Sequence, residues 1–289
     1  MRLLLLVITC SVGVVAQQLF QVQVSGDGQP MILIPGLSSS GEVWNSTVDH
    51  YRDRYECHVL TVAGFAGVPR IEGPMLDPVR DAIAAYIQEK NLHNAIVVGH
   101  SLGGYWALAL AVKYPKLVGP AVIVDAYPFL AGLADPAATP ETAKANAAKI
   151  REYIGQQSKE MYERYIRSGV GTRQMVTRES DLDTLIEWGI ASDRTAVADA
   201  MSELFAADLR DDLAAIKRPV LVLGAWIGYK QYTDHDRTEA NLRRQYAKLQ
   251  GVEIHVTDTA SHFIMWDDPD WMFNRMDEFL TTAEQSKSQ

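Results

Sequence analysis

Apolar positions along the chain follow two different periods, and the switch between them divides it into regions. Leu19-Phe20-Gln21-Val22-Gln23-Val24 alternates apolar and polar residues, which predicts an antiparallel edge strand ending at the turn Ser25-Gly26-Asp27-Gly28. Continuous apolar runs follow at Met31-Ile32-Leu33-Ile34, His58-Val59-Leu60-Thr61-Val62, Asn94-Ala95-Ile96-Val97-Val98, Pro120-Ala121-Val122-Ile123-Val124-Asp125, Pro219-Val220-Leu221-Val222-Leu223-Gly224 and 252–256. Short runs without alternation fit strands covered on both faces, as in parallel sheets. Between them the period changes. Val79, Ile83, Tyr86 and Ile87 keep helical spacing over 76–90, with Asp77-Pro78 a good start. The Ala- and Leu-rich stretch 104–110 predicts a helix ending near Lys113-Tyr114-Pro115, 43–51 a shorter one, and Asp268-Pro269 opens the last. Strands alternating with helices predict the α/β class, a mostly parallel central sheet with helices on both faces. Ligands of such sheets lie beyond the carboxyl ends of the strands.

The interval 129–216 breaks this alternation. It carries no strand signal, and its apolar residues fall on helical faces: Val197, Met201, Leu204 and Phe205; Leu182, Leu185 and Ile186; Met161, Tyr162, Tyr165 and Ile166. Such faces serve as packing surfaces, and also as the underside of a lid over an apolar substrate. The expected organisation is a core of 17–128 and 217–289 with an inserted helical cap over 129–216.

The first sixteen residues read differently again. Met1-Arg2 supplies one positive charge, 3–15 is mostly apolar, and Val14-Val15-Ala16 is a small-residue cleavage site. This predicts a secretory signal peptide over 1–16, too short for a membrane span, and export to the periplasm or outside the cell. An uncleaved N-terminal anchor is the alternative; a lipid attachment at Cys10 fits the upstream residues poorly. Removal of the leader leaves Cys57 as the sole thiol, so an exported chain has no internal disulfide and relies on its core. Cys57 begins an apolar run and reads as packed rather than reactive. Asn45-Ser46-Thr47 matches the N-glycosylation pattern of a eukaryotic secretory pathway.

The 289 residues carry a formal net charge of -9, with no basic stripe, low-complexity tract or internal repeat. That balance argues against nucleic acid and anionic membrane surfaces as partners.

Candidate chemistry centres on Gly99-His100-Ser101-Leu102-Gly103, which stands between a predicted strand and a predicted helix. A G-x-S-x-G in that setting is the pattern of a nucleophile elbow. The sharp turn strains the backbone at the serine, and side chains two positions to either side would strike the neighbouring strand and helix. The hydroxyl is then held proud of the sheet edge.

Together with the Pro35-Gly36-Leu37 turn, the Ala63-Gly64-Phe65-Ala66-Gly67 loop and the late Ser261-His262-Phe263, this elbow resembles the α/β-hydrolase superfamily. The likeness covers about 18–283 and is nearest to esterase and lipase-like members with a cap after the sixth strand. The superfamily order of serine, acid and histidine implies His262 as general base. It sets aside His50, His58, His93 and His100; His255 falls inside the last strand. The orienting acid usually follows the strand at 220–223, but Gly224-Ala225-Trp226-Ile227-Gly228-Tyr229 holds no carboxylate. Some members carry the acid at the end of the sixth strand, the place of Asp125; Asp234 and Asp236 are the alternatives, and a chain without a true acid is the third. The backbone amides of Leu37, with Ser38 next in line, and of Leu102 are implied as oxyanion donors. His235 beside Asp234 and Asp236 hints at a metal, but no second ligand cluster supports one.

The expected function is hydrolysis of a small-molecule carboxylic ester by a Ser-His-Asp triad through an acyl-enzyme, without metal or organic cofactor. Amidase, aminopeptidase and carbon–carbon hydrolase chemistry use the same parts, and a non-catalytic binding protein is the reading if the acid is missing.

Overall fold

A computed structural model describes residues 19–285; the expected signal peptide over 1–16 and Cys10 lie outside the described residues. Seven strands make one sheet in the order β1-β3-β2-β4-β5-β6-β7. They are β1 (Phe20–Ser25), β2 (Gln29–Ile34), β3 (Tyr55–Val62), β4 (Ala95–His100), β5 (Val118–Val124), β6 (Val220–Ala225) and β7 (Glu253–Thr257). As the alternating pattern predicts, β1 lies at an edge and pairs antiparallel with β3; every other pairing is parallel. The helices are α1 (Asn45–Tyr51), α2 (Leu76–Glu89), α3 (Leu102–Lys113), α4 (Ala131–Ala134), α5 (Pro140–Gln156), α6 (Lys159–Arg167), α7 (Glu179–Ala191), α8 (Arg194–Ala206), α9 (His235–Gln245), α10 (Ile264–Asp267) and α11 (Pro269–Gln285).

The core has two halves, one on each face of the sheet. Ile32, Ile34, Val97 and Ile123 face Val79 and Ile83 of α2 and Trp106 of α3; Leu33, Val98, Val122 and Leu221 face Met272, Met276 and Phe279 of α11. Alternate residues of each strand therefore serve opposite layers, which is why these strands read as unbroken apolar runs. Helix α3 is apolar almost all round and buried accordingly. Trp106 in it is wholly buried, and its indole N–H donates to the Leu76 carbonyl at 3.0 Å. Cys57 is buried in the second half of the core, and burial pushes its thiol up to about 11.

Three strands begin earlier than their apolar runs, β2 by two residues at Gln29. Tyr55 extends β3, and β5 starts at Val118. There the register with β4 slips, with Val118 opposite Ala95 and Ala121 opposite Val97. Pro120, which has no N–H to donate, sits in that irregularity.

The pairing also sets where the strands end. Ile34 is level with Gly99, His100 with Val124, and Val124 with Leu223. Segments leaving β2, β4, β5 and β6 therefore emerge together at one sheet edge, and the loop after β7 joins them.

The 129–216 interval is helical, as its apolar spacing predicts, and it follows β5, the strand that ends before Asp125. Helices α4 to α8 stand between β5 and β6, and the closing segment returns to the core through buried Leu213 and Ile216. The Ala63–Gly67 loop docks the turn between α7 and α8. Asp193 N–H donates to the Gly64 carbonyl at 2.8 Å, Gly67 N–H to Ala191 at 3.1 Å, and Ala66 N–H to the Ser192 hydroxyl at 2.9 Å. A Cβ at Gly64, whose φ is +88°, would lie 2.4 Å from that of Ala196. Glu203 of α8 accepts the amides of Met75 and Leu76 at 2.8–3.0 Å, tying α8 to the start of α2.

One expected packing face is corrected. Met161 and Tyr165, one turn apart on α6, are 59% and 44% exposed while Tyr162 is buried, because Met161 and Tyr162 point about 100° apart.

Candidate active site

The elbow is built as the glycine spacing requires. Ser101 sits between β4 and α3 with φ 53° and ψ -117°, a strained backbone for a residue with a side chain. A Cβ at Gly99 would come within 2.2 Å of the Gly103 carbonyl oxygen, and one at Gly103 within 2.2 Å of the Ile34 carbonyl oxygen. The serine amide donates to Val124 at 2.9 Å, which ties the turn to the neighbouring strand.

Asp125 follows β5 on the same edge, also with positive φ (43°), and its amide donates to Leu223 at 2.7 Å. Its carboxylate is 7% exposed as a residue, and both oxygens are engaged. Oδ1 accepts the Ala225 amide at 3.0 Å, and Oδ2 lies 2.6 Å from Nδ1 of His262. A carboxylate only accepts, so Nδ1 carries the hydrogen and the lone pair of neutral His262 is on Nε2. The structure thus brings Asp125, not Asp234 or Asp236, to the imidazole. Asp234 caps α9, accepting the Arg237 amide at 2.8 Å, and the Asp236 side chain is fully exposed. His255 lies within β7.

Sequence reasoning set His100 aside, yet it shapes the site. Its ring is buried, and Nε2–H donates to the His262 carbonyl at 3.0 Å. Burial first, and then the neighbouring His262, hold its pKa well below 6.5, so it stays neutral. Asp267 was also missed. Its Oδ2 accepts the Ser261 amide at 2.8 Å; its Oδ1 accepts the Thr177 amide at 3.0 Å and the Thr177 hydroxyl at 2.6 Å. Phe263 N–H donates to the Met175 carbonyl at 3.2 Å. The loop bearing His262 is therefore fastened to the 175–177 segment of the inserted helices. Such contacts join distant stretches of chain and leave no spacing signal to read.

Ser101, His262 and Leu37 line two adjoining cavities, and Met175 and Met201 are common to both. One, of about 660 Å³, lies toward α9 and includes Asp125, Tyr229, Tyr232, Arg237 and Asn241. Burial, and then the charge of Asp125, push the Tyr229 phenol up to about 12, so it remains a neutral donor. The other, of about 550 Å³, lies under α5 to α8 and is walled mainly by apolar side chains, among them Ile154, Ile166, Leu185 and Val197. The helical faces that pack the insertion thus also wall a cavity. Leu102 opens α3, so its amide precedes the helical hydrogen-bond ladder. The turn holding Leu37 is closed by Ser39 N–H to the Gly36 carbonyl at 3.2 Å. Among the described residues, no cluster of three His, Cys, Asp or Glu side chains could hold a metal ion. No helix among them is long and apolar enough to cross a membrane.

The model of the alpha/beta hydrolase family matches residues 31–275. The chain belongs to that family. It is 26% identical over 261 residues to an N-formylmaleamate deformylase of Pseudomonas putida, covering 88% of this chain and 90% of that one. Over 109 residues it is 31% identical to a pimeloyl-[acyl-carrier protein] methyl ester esterase of Vibrio cholerae, covering 38% of this chain and 41% of the other. Among solved structures it resembles the enol-lactonase from Burkholderia xenovorans, with TM-score 0.73, 18% identity and coverage of 91% and 96%. An esterase from Thermogutta terrifontis gives TM-score 0.69, 18% identity and coverage of 91% and 93%. At these identities the structural likeness is one of fold. The family and the named relatives place the chain among hydrolases.

Proposed function

We propose that the protein is a serine hydrolase cleaving carboxylic esters through an acyl-enzyme, with Ser101 as nucleophile, His262 as general base and Asp125 as orienting acid. The observation that carries this reading is the 2.6 Å contact between His262 Nδ1 and Asp125 Oδ2, at an imidazole that shares two cavities with a strained serine. A serine hydroxyl is a weak nucleophile at neutral pH until a base accepts its proton. His262 Nε2 takes that proton as Ser101 Oγ bonds to the carbonyl carbon. The carbonyl oxygen becomes an oxyanion, accepted by the amides of Leu37 and Leu102, each donor worth on the order of 3 kcal/mol. The C–O bond then breaks, and the alkoxide leaves with the proton from His262. Water, activated by the same imidazole, releases the acid and restores the serine. Asp125 holds the tautomer and stabilises the imidazolium without itself taking the proton. The helices of 129–216 act as a cap that walls the reacting centre. The pattern of residues 1–16 supports export, checked by N-terminal sequencing of the mature protein, with Gln17 expected first.

Ester cleavage is favoured over amide cleavage because an amine leaving group asks more of the acid step. The test is labelling by a fluorophosphonate, followed by turnover of nitrophenyl esters from acetate to palmitate and of a matched anilide. Wild type should label at neutral pH, Ser101→Ala should not, and the ester should outpace the anilide. A wild-type protein that fails to label would be a binding protein on this scaffold; a faster anilide would make it an amidase.

A further inference from the structure

The two cavities do not share the net negative charge of the whole chain: among the described residues, Asp125 and Arg237 balance in one, and Lys149 is the charged residue lining the other. With 36 acidic and 27 basic residues the protein is net negative, at -9. Yet among the described residues lining the α9-side cavity, the carboxylate is Asp125, whose oxygens are taken by Ala225 and His262. The cation there is Arg237. The cavity under α5 to α8 is lined by no carboxylate among the described residues, and it has Lys149 at its edge. The cavities differ in chemistry as well as position. Arg237 and Asn241, one turn apart on α9, present donors alongside the phenols of Tyr229 and Tyr232. The opposite cavity offers mostly hydrocarbon.

Among the described residues Arg237 pairs with Asp234, at 3.4 Å, with the two side chains 75% and 57% exposed. A pair that open to water is weak, and the guanidinium has further N–H donors to offer a second acceptor. A planar carboxylate matches that donor fork in a way that a neutral ester or amide does not.

We infer that the α9-side cavity receives a carboxylate group of the substrate, with Arg237 as its counter-ion, while the cavity under α5 to α8 takes an apolar arm. The substrate class is an anionic carboxylic ester with its charge on one side of the scissile carbonyl and hydrocarbon on the other. The inference rests on the reading of Ser101 and His262 as the reacting pair, since these residues stand where the two cavities meet.

The experiment measures binding rather than turnover. In Ser101→Ala, titration calorimetry compares monohexyl succinate with the hexyl ester of succinamic acid, and hexanoyl glycolate with hexanoyl glycolamide. Each pair differs by a carboxylate against a carboxamide, on the acyl side in one and the alcohol side in the other. The carboxylate should bind about tenfold more tightly in at least one pair. Arg237→Gln in the same background should shrink that preference to within twofold, while Lys149→Gln should preserve it. Equal or tighter binding of the carboxamide in both pairs overturns the inference. So does a preference that survives Arg237→Gln or disappears with Lys149→Gln. Fluorophosphonate labelling of the wild type reports on the catalytic reading separately, so either can fail alone.

Discussion

Asp125 and His262, 137 positions apart in sequence, meet at 2.6 Å, and the second carboxylate oxygen of Asp125 is held by the Ala225 amide. The acid is therefore fixed from β6 while it fixes the base. Asp125→Asn offers Nδ1 an amide of similar shape but the wrong preference for tautomer. Turnover of a nitrophenyl ester should fall by about 10³–10⁴-fold. Asp234→Asn and Asp236→Asn should stay within about twofold. Steady-state kinetics on the three variants checks the ranking, and a severe loss at Asp234 or Asp236 would relocate the acid.

The elbow makes a steric prediction. A Cβ at position 103 would meet the carbonyl oxygens of Ile34 and Pro35 at 2.2 and 2.6 Å, and backbone cannot swing aside as a side-chain tip can. Gly103→Ala should destabilise the fold by at least about 2 kcal/mol, in the range of core overpacking, and reduce labelling of any soluble fraction. Denaturant titration measures the first effect. An unchanged midpoint would mean that the turn is looser than its contacts show.

This elbow was legible in the sequence because its requirement is local: two missing Cβ atoms around a serine, with strand before and helix after. Asp125 was legible for a related reason, since strand ends in a parallel sheet gather at one edge. What the chain did not announce was contact across the insertion. His100 reads as the x of a motif, and Asp267 as one acid among many near a helix start. Their partners, His262, Ser261 and Thr177, are set by tertiary placement, with no period or spacing to betray them. Met161 misled for the opposite reason, because an apolar residue one position from a buried one need not share its face.

Asp267 is expected to be a positioning residue. Asp267→Asn keeps one carbonyl acceptor and loses the other, loosening either Ser261 or Thr177. Misplacing a base by a fraction of an ångström costs rate more than binding. The expected result is a kcat lowered about tenfold, with KM within twofold and the midpoint of the pH–rate profile unmoved. A loss in KM alone, or one that tracks thermal stability across Asp267→Asn and Thr177→Val, would assign the residue to structure only.

His100 gives a pH dependence of stability with a definite sign. Burial depresses its folded pKa, while the unfolded chain binds a proton near 6.5. Stability is thus fully present above 6.5 and declines as the pH falls below it, with a slope approaching about 1.4 kcal/mol per pH unit. His255, lowered first by burial, acts with the same sign, so the comparison must be with His100→Gln. That variant should start less stable at pH 7.5 and show a shallower decline to pH 5 in denaturant titrations. Parallel curves would clear His100 of the effect.

Met175 and Met201 border both cavities, so they form a party wall of flexible thioether side chains. Space ceded to one chamber is taken from its neighbour, and the dimensions of the two cavities are not independent. Shortening either methionine would merge the rooms and admit branched or bulkier molecules, leaving hydroxyl, imidazole and carboxylate where they stand. Selectivity in this fold can therefore drift by trimming one partition, without a change in chemistry.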